Sequence, residues 1–515
     1  VTGNIPPVIR PEHVSPRSLE IMVSDLGLDS RGELRGVEVV GITVMTREVR
    51  AGDLFVALRG ANRHGAEFAS EARDNGAVAV LTDEEGATIA ADVGLPLVIV
   101  DSPRDALGEI ARWIYRTDED APQYFGITGT NGKTSTAYLL EAIVRQLGIV
   151  SGLSTTAERH IGDQTVVSRL TTPEASELHA LIARMKEVSV RAVVIEVSAQ
   201  ALTHNRVAGI RFDVAGFTNL SHDHLDDYSD MEEYFHAKLA LFQPDVAVRG
   251  VVSLDSPWGH RIVEGSHIPV TTISSNGDPS AYWQVDVTED NADYTAFTLR
   301  SVDGVTLSTR EPVIGRHMAA NAALAIVMLI EAGFEPDAIA GALERDGGIR
   351  AYLPGRTEKV SGDTGPNVYV DFGHSPDAFE HTLAAVRRFT PGKTIMVFGA
   401  DGDRDATKRF DMARVAAEGC DVLVITDHHP RFEDPASIRA ELLVGARSVA
   451  NGPEIFEASP PEDAIRLAVS LAREGDSILW AGPGHQDYRD IRGERTVYSA
   501  RNLARAALVD AGWTL

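Results

Sequence analysis

Short apolar runs alternate with helical patterns along almost the whole chain, and this alternation limits the fold to α/β architecture. Ala77–Thr82, Leu97–Asp101, Ala192–Glu196, Thr394–Gly399 and Asp421–Thr426 read as buried strands. Thr134–Gln146, Met318–Ala332 and Asp377–Phe389 carry helical periodicity. No repeat of fixed period and no low-complexity tract breaks the pattern. At 515 residues the chain exceeds what one hydrophobic core organises. Two links divide it: the polar Thr117–Pro122 (TDEDAP) and the Gly- and Pro-containing Gly347–Gly355 (GGIRAYLPG). Three domains are expected, over residues 1–120, 121–350 and 351–515.

Composition narrows the function class. The chain is 43% hydrophobic and 24% charged, as a soluble globular protein is. A formal charge of −27 argues against nucleic-acid binding, which needs basic patches to displace counterions from phosphates. No apolar run approaches the roughly 20 residues that span a bilayer, and the N-terminus has no basic segment followed by an apolar one, so neither membrane insertion nor a secretory signal is expected. Cys420 is the only cysteine, which rules out an internal disulfide and fits a reducing cytoplasm. A lone cysteine beside an apolar strand reads as packing rather than as a nucleophile.

The segment with the most chemistry is Tyr124–Thr136, YFGITGTNGKTST. An apolar strand runs into Gly129, Thr130, Asn131 and Gly132, and Lys133-Thr134-Ser135 then opens a helix. Glycines let backbone N–H groups close around phosphates, Lys133 brings a point charge, and the Thr134 hydroxyl suits Mg²⁺. The strict phosphate-loop pattern fails at Ile127, where its first glycine would fall. Downstream, a buried strand delivers Glu196 at its C-terminal end, where ligand sites of α/β sheets lie. Asp223, His224, Asp226 and Asp227 follow another apolar strand, with Lys238 beyond them. A glutamate and a histidine near bound phosphates are able to share a Mg²⁺ with water. Whether the phosphate goes to water, to a substrate or nowhere is not settled by these residues.

TGTNGKT, TTPE (Thr171–Glu174), EVS (Glu196–Ser198) and FTNL…DHLD…AK (Phe217–Lys238) resemble the Mur ligases, and more narrowly the MurE type, in order and spacing from about Gly41 to the C-terminus. The resemblance implies an N-terminal domain holding the uridine end of a UDP-linked precursor, a central ATPase-like domain and a C-terminal Rossmann-like domain. It implies phosphorylation of the carboxylate of UDP-N-acetylmuramoyl-L-alanyl-D-glutamate by ATP, then attack by a free L-amino acid, in cytoplasmic peptidoglycan precursor synthesis. A monomer is expected. Lys133 and Thr134 would hold phosphates and a Mg²⁺, Glu196 and His224 a second Mg²⁺, and Lys238 would act as a carbamate. Thr171, Thr172, Ser198 and Arg206 would hold the sugar–peptide part. Thr46, in Met45-Thr46-Arg47, and Asn62 would face uridine; Met45 replaces the family's aspartate and removes a side-chain acceptor from that turn. Asn321, Arg356, Asp371 and His374 would complete the ATP site, with Met318 where the family often has asparagine.

The amino-acid pocket departs from its relatives. Members that add meso-diaminopimelate carry DNPR where this chain has His428-His429-Pro430-Arg431, and GKGHE where it has Gly482-Pro483-Gly484-His485-Gln486. Arg404 and Arg431 remain to grip a carboxylate through planar, charge-assisted bonds. The glutamate that would pair with the distal ammonium has become Gln486, so diaminopimelate is not the expected substrate; a smaller or less charged L-amino acid is. His428 and His429 are not expected to form a metal pair, because adjacent side chains usually point apart. Two other readings stay open: a related amide ligase with a different carboxylate acceptor, and a non-catalytic nucleotide-binding paralogue. TTPE and the uridine-type N-terminal segment speak against a folylpolyglutamate-type acceptor. The joint presence of Lys133, Glu196, His224 and Lys238 speaks against a paralogue without catalysis.

Overall fold

The computed structural model describes residues 6, 8–60, 62–223, 225 and 227–515. Three sheets dominate. The first has five strands in the spatial order Asp29–Arg31, Leu97–Ile99, Ala79–Thr82, Asp53–Val56, Gly41–Thr43, parallel except at Asp29–Arg31. Its inner faces are apolar runs such as Ala79–Thr82, in which every residue is buried, as strands covered on both faces must be.

The second sheet has eleven strands. Its parallel centre runs Ser151–Ser154, Ala192–Glu196, Gln123–Thr128, Phe212–Phe217, Ala247–Ser253, Val270–Ser274. A hairpin, Glu158–Ile161 and Gln164–Val167, extends one edge, and Trp283–Asp290, Thr295–Ser301 and Thr306–Glu311 extend the other. Apolar side chains fill both faces: Phe125, Leu139, Leu324 and Phe297 lie on one, Phe217, Phe235 and Phe242 on the other. Helix Arg316–Glu331 is buried along most of its length, as a helix without a continuous polar stripe must be.

The third sheet orders Glu358–Lys359, Asn367–Asp371, Ser477–Ala481, Thr394–Phe398, Val422–Ile425, Glu454–Glu457. All pairs but the first are parallel. Its C-terminal strand edges carry the loops 399–405, 426–431 and 482–487, which therefore converge. A two-stranded ribbon, Tyr488–Ile491 with Glu494–Val497, stands beside them.

Helix Pro336–Asp346 ends at Gly347 in a left-handed conformation, at the point where the sequence predicted a break. Cys420 is partly buried against the core of the third sheet, and burial pushes its thiol up to about 12, which suits packing rather than nucleophilic chemistry. Among the described residues no helix is long and apolar enough to cross a membrane.

Candidate active site

A cavity of about 910 Å³ lies between the second and third sheets. Its floor is the turn joining strand Gln123–Thr128 to helix Lys133–Gln146. That helix starts at Gly132 without a side-chain cap, so the N–H groups of its first turn are free to meet an anion. Gly132 has φ 86°, and a Cβ there would sit 2.6 Å from Asn321 Oδ1. Only glycine therefore lets the buried helix Arg316–Glu331 bring Asn321 against the loop.

Behind the loop the charged groups crowd together. Lys133 Nζ donates to the carbonyls of Gly129 (3.1 Å) and Thr130 (2.8 Å) and lies 4.0 Å from Glu196. Lys238, 1% exposed, donates to the same Gly129 carbonyl at 2.7 Å. Burial holds both ammonium groups below their usual range; for Lys238 the fall is large, and the Lys133 charge adds to it. Glu196 Oε2 accepts from the Thr134 hydroxyl and from the Thr156 backbone N–H, each at 2.9 Å. Thr134 and Glu196 thus present adjacent oxygen ligands of the kind Mg²⁺ takes. His224 lies outside the described residues.

Of the residues expected to hold the precursor, Thr171, Ser198 and Arg206 line this cavity. Thr172 does not: it is fully buried, donates to the Glu196 carbonyl at 2.7 Å and accepts from Ser198 N–H, so it braces the strand end from behind. Arg206 is paired with Glu174 at 3.1 Å. Thr46 and Asn62 sit on the first sheet's domain and are not among the residues that line the cavity. Met45 makes no side-chain cap bond at this turn, and its backbone N–H donates to the Thr43 hydroxyl.

Asn321, Arg356, Asp371 and His374 all line the cavity. Arg356 Nη2 donates to Thr134 Oγ1 at 2.9 Å, bringing the third sheet's domain onto the phosphate loop. Asp371 accepts from Thr357 N–H (2.8 Å) and Gly373 N–H (2.6 Å), which shapes the turn that carries Arg356. Burial pushes the His374 imidazole down to about 4. Sequence reasoning missed Asp377, which accepts from Asn131 at 2.8 Å, and the pair Lys408–Asp223 at 2.8 Å. Both are contacts between domains, and no local pattern announces them.

At the far end Arg404, His428, Arg431, Gly482 and Gln486 line the cavity, joined by Asp401, which sequence reasoning also missed. His429 is 5% exposed and stands behind Gln486, to which its Nε2 is hydrogen-bonded at 2.7 Å. The two histidines do not point apart. Their rings are 4.2 Å apart edge to face, and with Asp401 they bring ligand atoms within 4.8 Å of one another. The reason is local: Asp401 captures His428 Nδ1 at 2.7 Å while Asp490 N–H and Gln486 capture the two nitrogens of His429. With both nitrogens engaged, His429 has no free lone pair for a metal.

A phosphate loop, two lysines on one carbonyl and a strand-end carboxylate facing a second domain define a nucleotide-dependent enzyme site. Three family profiles match the chain: "Mur ligase family, catalytic domain" over residues 38–115, "Mur ligase middle domain" over 127–329 and "Mur ligase, glutamate ligase domain" over 355–484. A UDP-N-acetylmuramyl-tripeptide synthetase of Leifsonia xyli subsp. xyli is 59% identical over 513 residues, covering 100% of both chains. A UDP-N-acetylmuramoyl-L-alanyl-D-glutamate–2,6-diaminopimelate ligase of Streptomyces avermitilis is 42% identical, covering 97% of this chain and 98% of its own. The solved structure of a diaminopimelate ligase aligns with TM-score 0.67 at 24% identity, over 97% of this chain and 100% of its own, and shares the fold. The chain belongs to the Mur ligase family, and within it is of the MurE type.

Proposed function

We propose that the protein joins an L-amino acid to UDP-N-acetylmuramoyl-L-alanyl-D-glutamate at the expense of ATP, as a step of peptidoglycan precursor synthesis. The observation that carries this is one continuous cavity. It runs from the phosphate loop past Lys238 and Glu196 to Thr171, Ser198 and Arg206 on one side and to Arg404 and Arg431 on the other. Residues 1–120 serve the uridine end, 121–350 the nucleotide and 351–515 the amino acid. The reaction is cytoplasmic and the working unit a monomer.

A precursor carboxylate oxygen attacks the γ-phosphorus of ATP, ADP leaves, and an acyl phosphate forms. The α-amine then attacks the acyl carbon, the C–O bond to phosphate breaks, and the amine gives up a proton. Little covalent chemistry falls to the protein, so catalysis is placement and charge neutralisation. Lys133 is the fixed cation for the transferring phosphoryl. Thr134, Glu196 and His224 would hold Mg²⁺, which supplies further neutralisation of phosphate charge. Two lysines on one carbonyl disfavour each other's charge; the depressed basicity of buried Lys238 leaves a neutral amine, which would add CO₂ and lose a proton to give a carbamate, a negative group beside the Lys133 cation.

The altered loops favour an amino acid other than diaminopimelate. Purified protein with the UDP-dipeptide, ATP and single amino acids, read by phosphate release, tests the assignment. ATP-dependent product is expected with at least one amino acid, and none with any of them would overturn it.

A further inference from the structure

One stretch of the cavity wall differs from the rest. Met318, Ala320, Asn321 and Leu324, on the first turns of helix Arg316–Glu331, line the cavity and carry no charge. The stretches toward Thr171 and toward Gly482 carry arginines instead. A nucleobase has flat apolar faces and a polar edge, so it suits a wall of small and apolar side chains with one amide among them. The place fits as well: Asn321 stands against Gly132, so a nucleotide held by its phosphates on the loop has this wall within reach.

What the amide offers a base depends on which way round it is held. Asn321 is 8% exposed, and its Nδ2 donates to Met318 Sδ at 3.6 Å. No described residue donates to its Oδ1. A thioether is a weak acceptor and has no proton to give. Turning the amide over about its last torsion exchanges oxygen for NH₂ in place, and costs here only one N–H···S contact. His317, one residue before Met318, imposes no fixed pattern either. Burial pushes its imidazole down to about 4, so it is neutral, with one donor and one acceptor. Among the described residues it makes no hydrogen bond; its ring stands 5.9 Å from that of His381.

We propose that Met318 sets the nucleobase selectivity of this enzyme: by leaving the Asn321 amide free to turn, it admits 6-oxopurine nucleoside triphosphates beside ATP. With Oδ1 toward the base, the amide accepts from the 6-amino group of adenine. Turned over, Nδ2 donates to a 6-oxo group. The phosphoryl transfer is unchanged, and the nucleoside diphosphate of the same base leaves. The inference rests on the ligase reading above.

The test uses the full chain with the UDP-dipeptide, a mixture of amino acids and ATP, ITP, GTP or CTP, read by phosphate release. Calorimetry gives the Kd of ADP and of IDP on the same protein. ITP is expected to give a kcat/KM within about tenfold of that of ATP, since only a weak contact is exchanged. A preference for ATP above about 100-fold, as a site with a fixed acceptor would show, overturns the proposal. CTP as good as ATP also overturns it, because no base edge would then be read. Met318→Glu has nearly the length of methionine, is an acceptor only, and falls in the first helical turn, where an anion is favoured. It pins Nδ2 and is expected to shift the ATP-to-ITP ratio at least about tenfold toward ATP. Met318→Leu removes the sulfur and should bring the ratio closer to one. Both nucleotides carry the same triphosphate, so a general loss of folding or of phosphate binding cancels in the ratio. A ratio equal to wild type in both variants overturns the role of Met318. Absence of phosphate release with ATP would sink the ligase reading alone; the ratio of the ADP and IDP affinities, judged by the same limits, still decides the base pocket.

Discussion

Two lysines on one carbonyl explain more of this site than either does alone. Lys133 and Lys238 both donate to the Gly129 carbonyl; Lys238 is buried, and Lys133 is half-buried at the cavity wall. Lys133 keeps an anionic neighbour in Glu196 at 4.0 Å, so it stays the cation of the pair. Lys133→Ala is expected to cost on the order of 10²-fold or more in kcat, since a fixed donor to the transferring charge is lost; near-normal phosphate release would remove the loop from the chemistry. Lys238→Ala is expected to be nearly inactive and to regain measurable turnover with added short carboxylic acids, which would place a carboxylate where the proposed carbamate belongs. Activity of that variant with no response to any carboxylate would leave Lys238 as packing. Asp401, at the far end of the cavity, was invisible in sequence because nothing marks a loop aspartate as neighbour to a histidine 27 positions on.

At the scale of elements, most of the fold was legible. The strands read at Ala192–Glu196 and Thr394–Gly399 form at Ala192–Glu196 and Thr394–Phe398, and the helix read at Thr134–Gln146 forms at Lys133–Gln146. Buried parallel strands and buried helices betray themselves by apolar runs. Two antiparallel additions were not read because they are largely exposed: the hairpin ending in Gln164–Val167 and the ribbon strand Glu494–Val497 have little core to impose a pattern. One of these additions is fastened electrostatically. His160, on the Glu158–Ile161 strand, bonds Glu141 of the phosphate-loop helix at 2.8 Å and lies 3.4 Å from Glu158. Burial opposes its charge, but the two carboxylates raise it to about 9. A folded-state value above the ordinary 6.5 stabilises the fold fully below that pH, and the contribution is lost as pH rises through about 9. His160→Gln is therefore expected to lower stability by on the order of 2 kcal/mol at pH 6, with the gap in Tm closing by more than half by pH 10. A gap independent of pH would mean that His160 is not charged.

For the molecule as a whole, the distribution of charge matters more than its sum. The chain carries −27, yet Lys133, Arg206, Arg356, Arg404, Lys408 and Arg431 line the same cavity as Glu196, Asp371 and Asp401, so fixed cations meet polyanionic substrates behind an acidic surface. That cavity is closed by polar contacts between domains: Arg356 to Thr134 at 2.9 Å, Asp377 to Asn131 at 2.8 Å, Lys408 to Asp223 at 2.8 Å and Arg388 to Asp290 at 3.1 Å. Partly exposed contacts of this kind are worth about 1 kcal/mol or less each, too little to hold two domains shut without help. Thr134 and Asn131 are also the groups that phosphates address, so nucleotide competes for the partners of two contacts and supplies its own charge to Arg356 instead. Closure is thus expected to depend on ligand, with residues from about Tyr352 onward swinging over the central sheet. Small-angle scattering should give a smaller radius of gyration with a non-hydrolysable ATP analogue plus the UDP-dipeptide than for free protein. Lys408→Ala, which removes the bridge to Asp223, should need more ligand to reach the same value. Superimposable profiles with and without both ligands would show that the domains are locked, and that entry to the cavity needs no swing of the C-terminal domain.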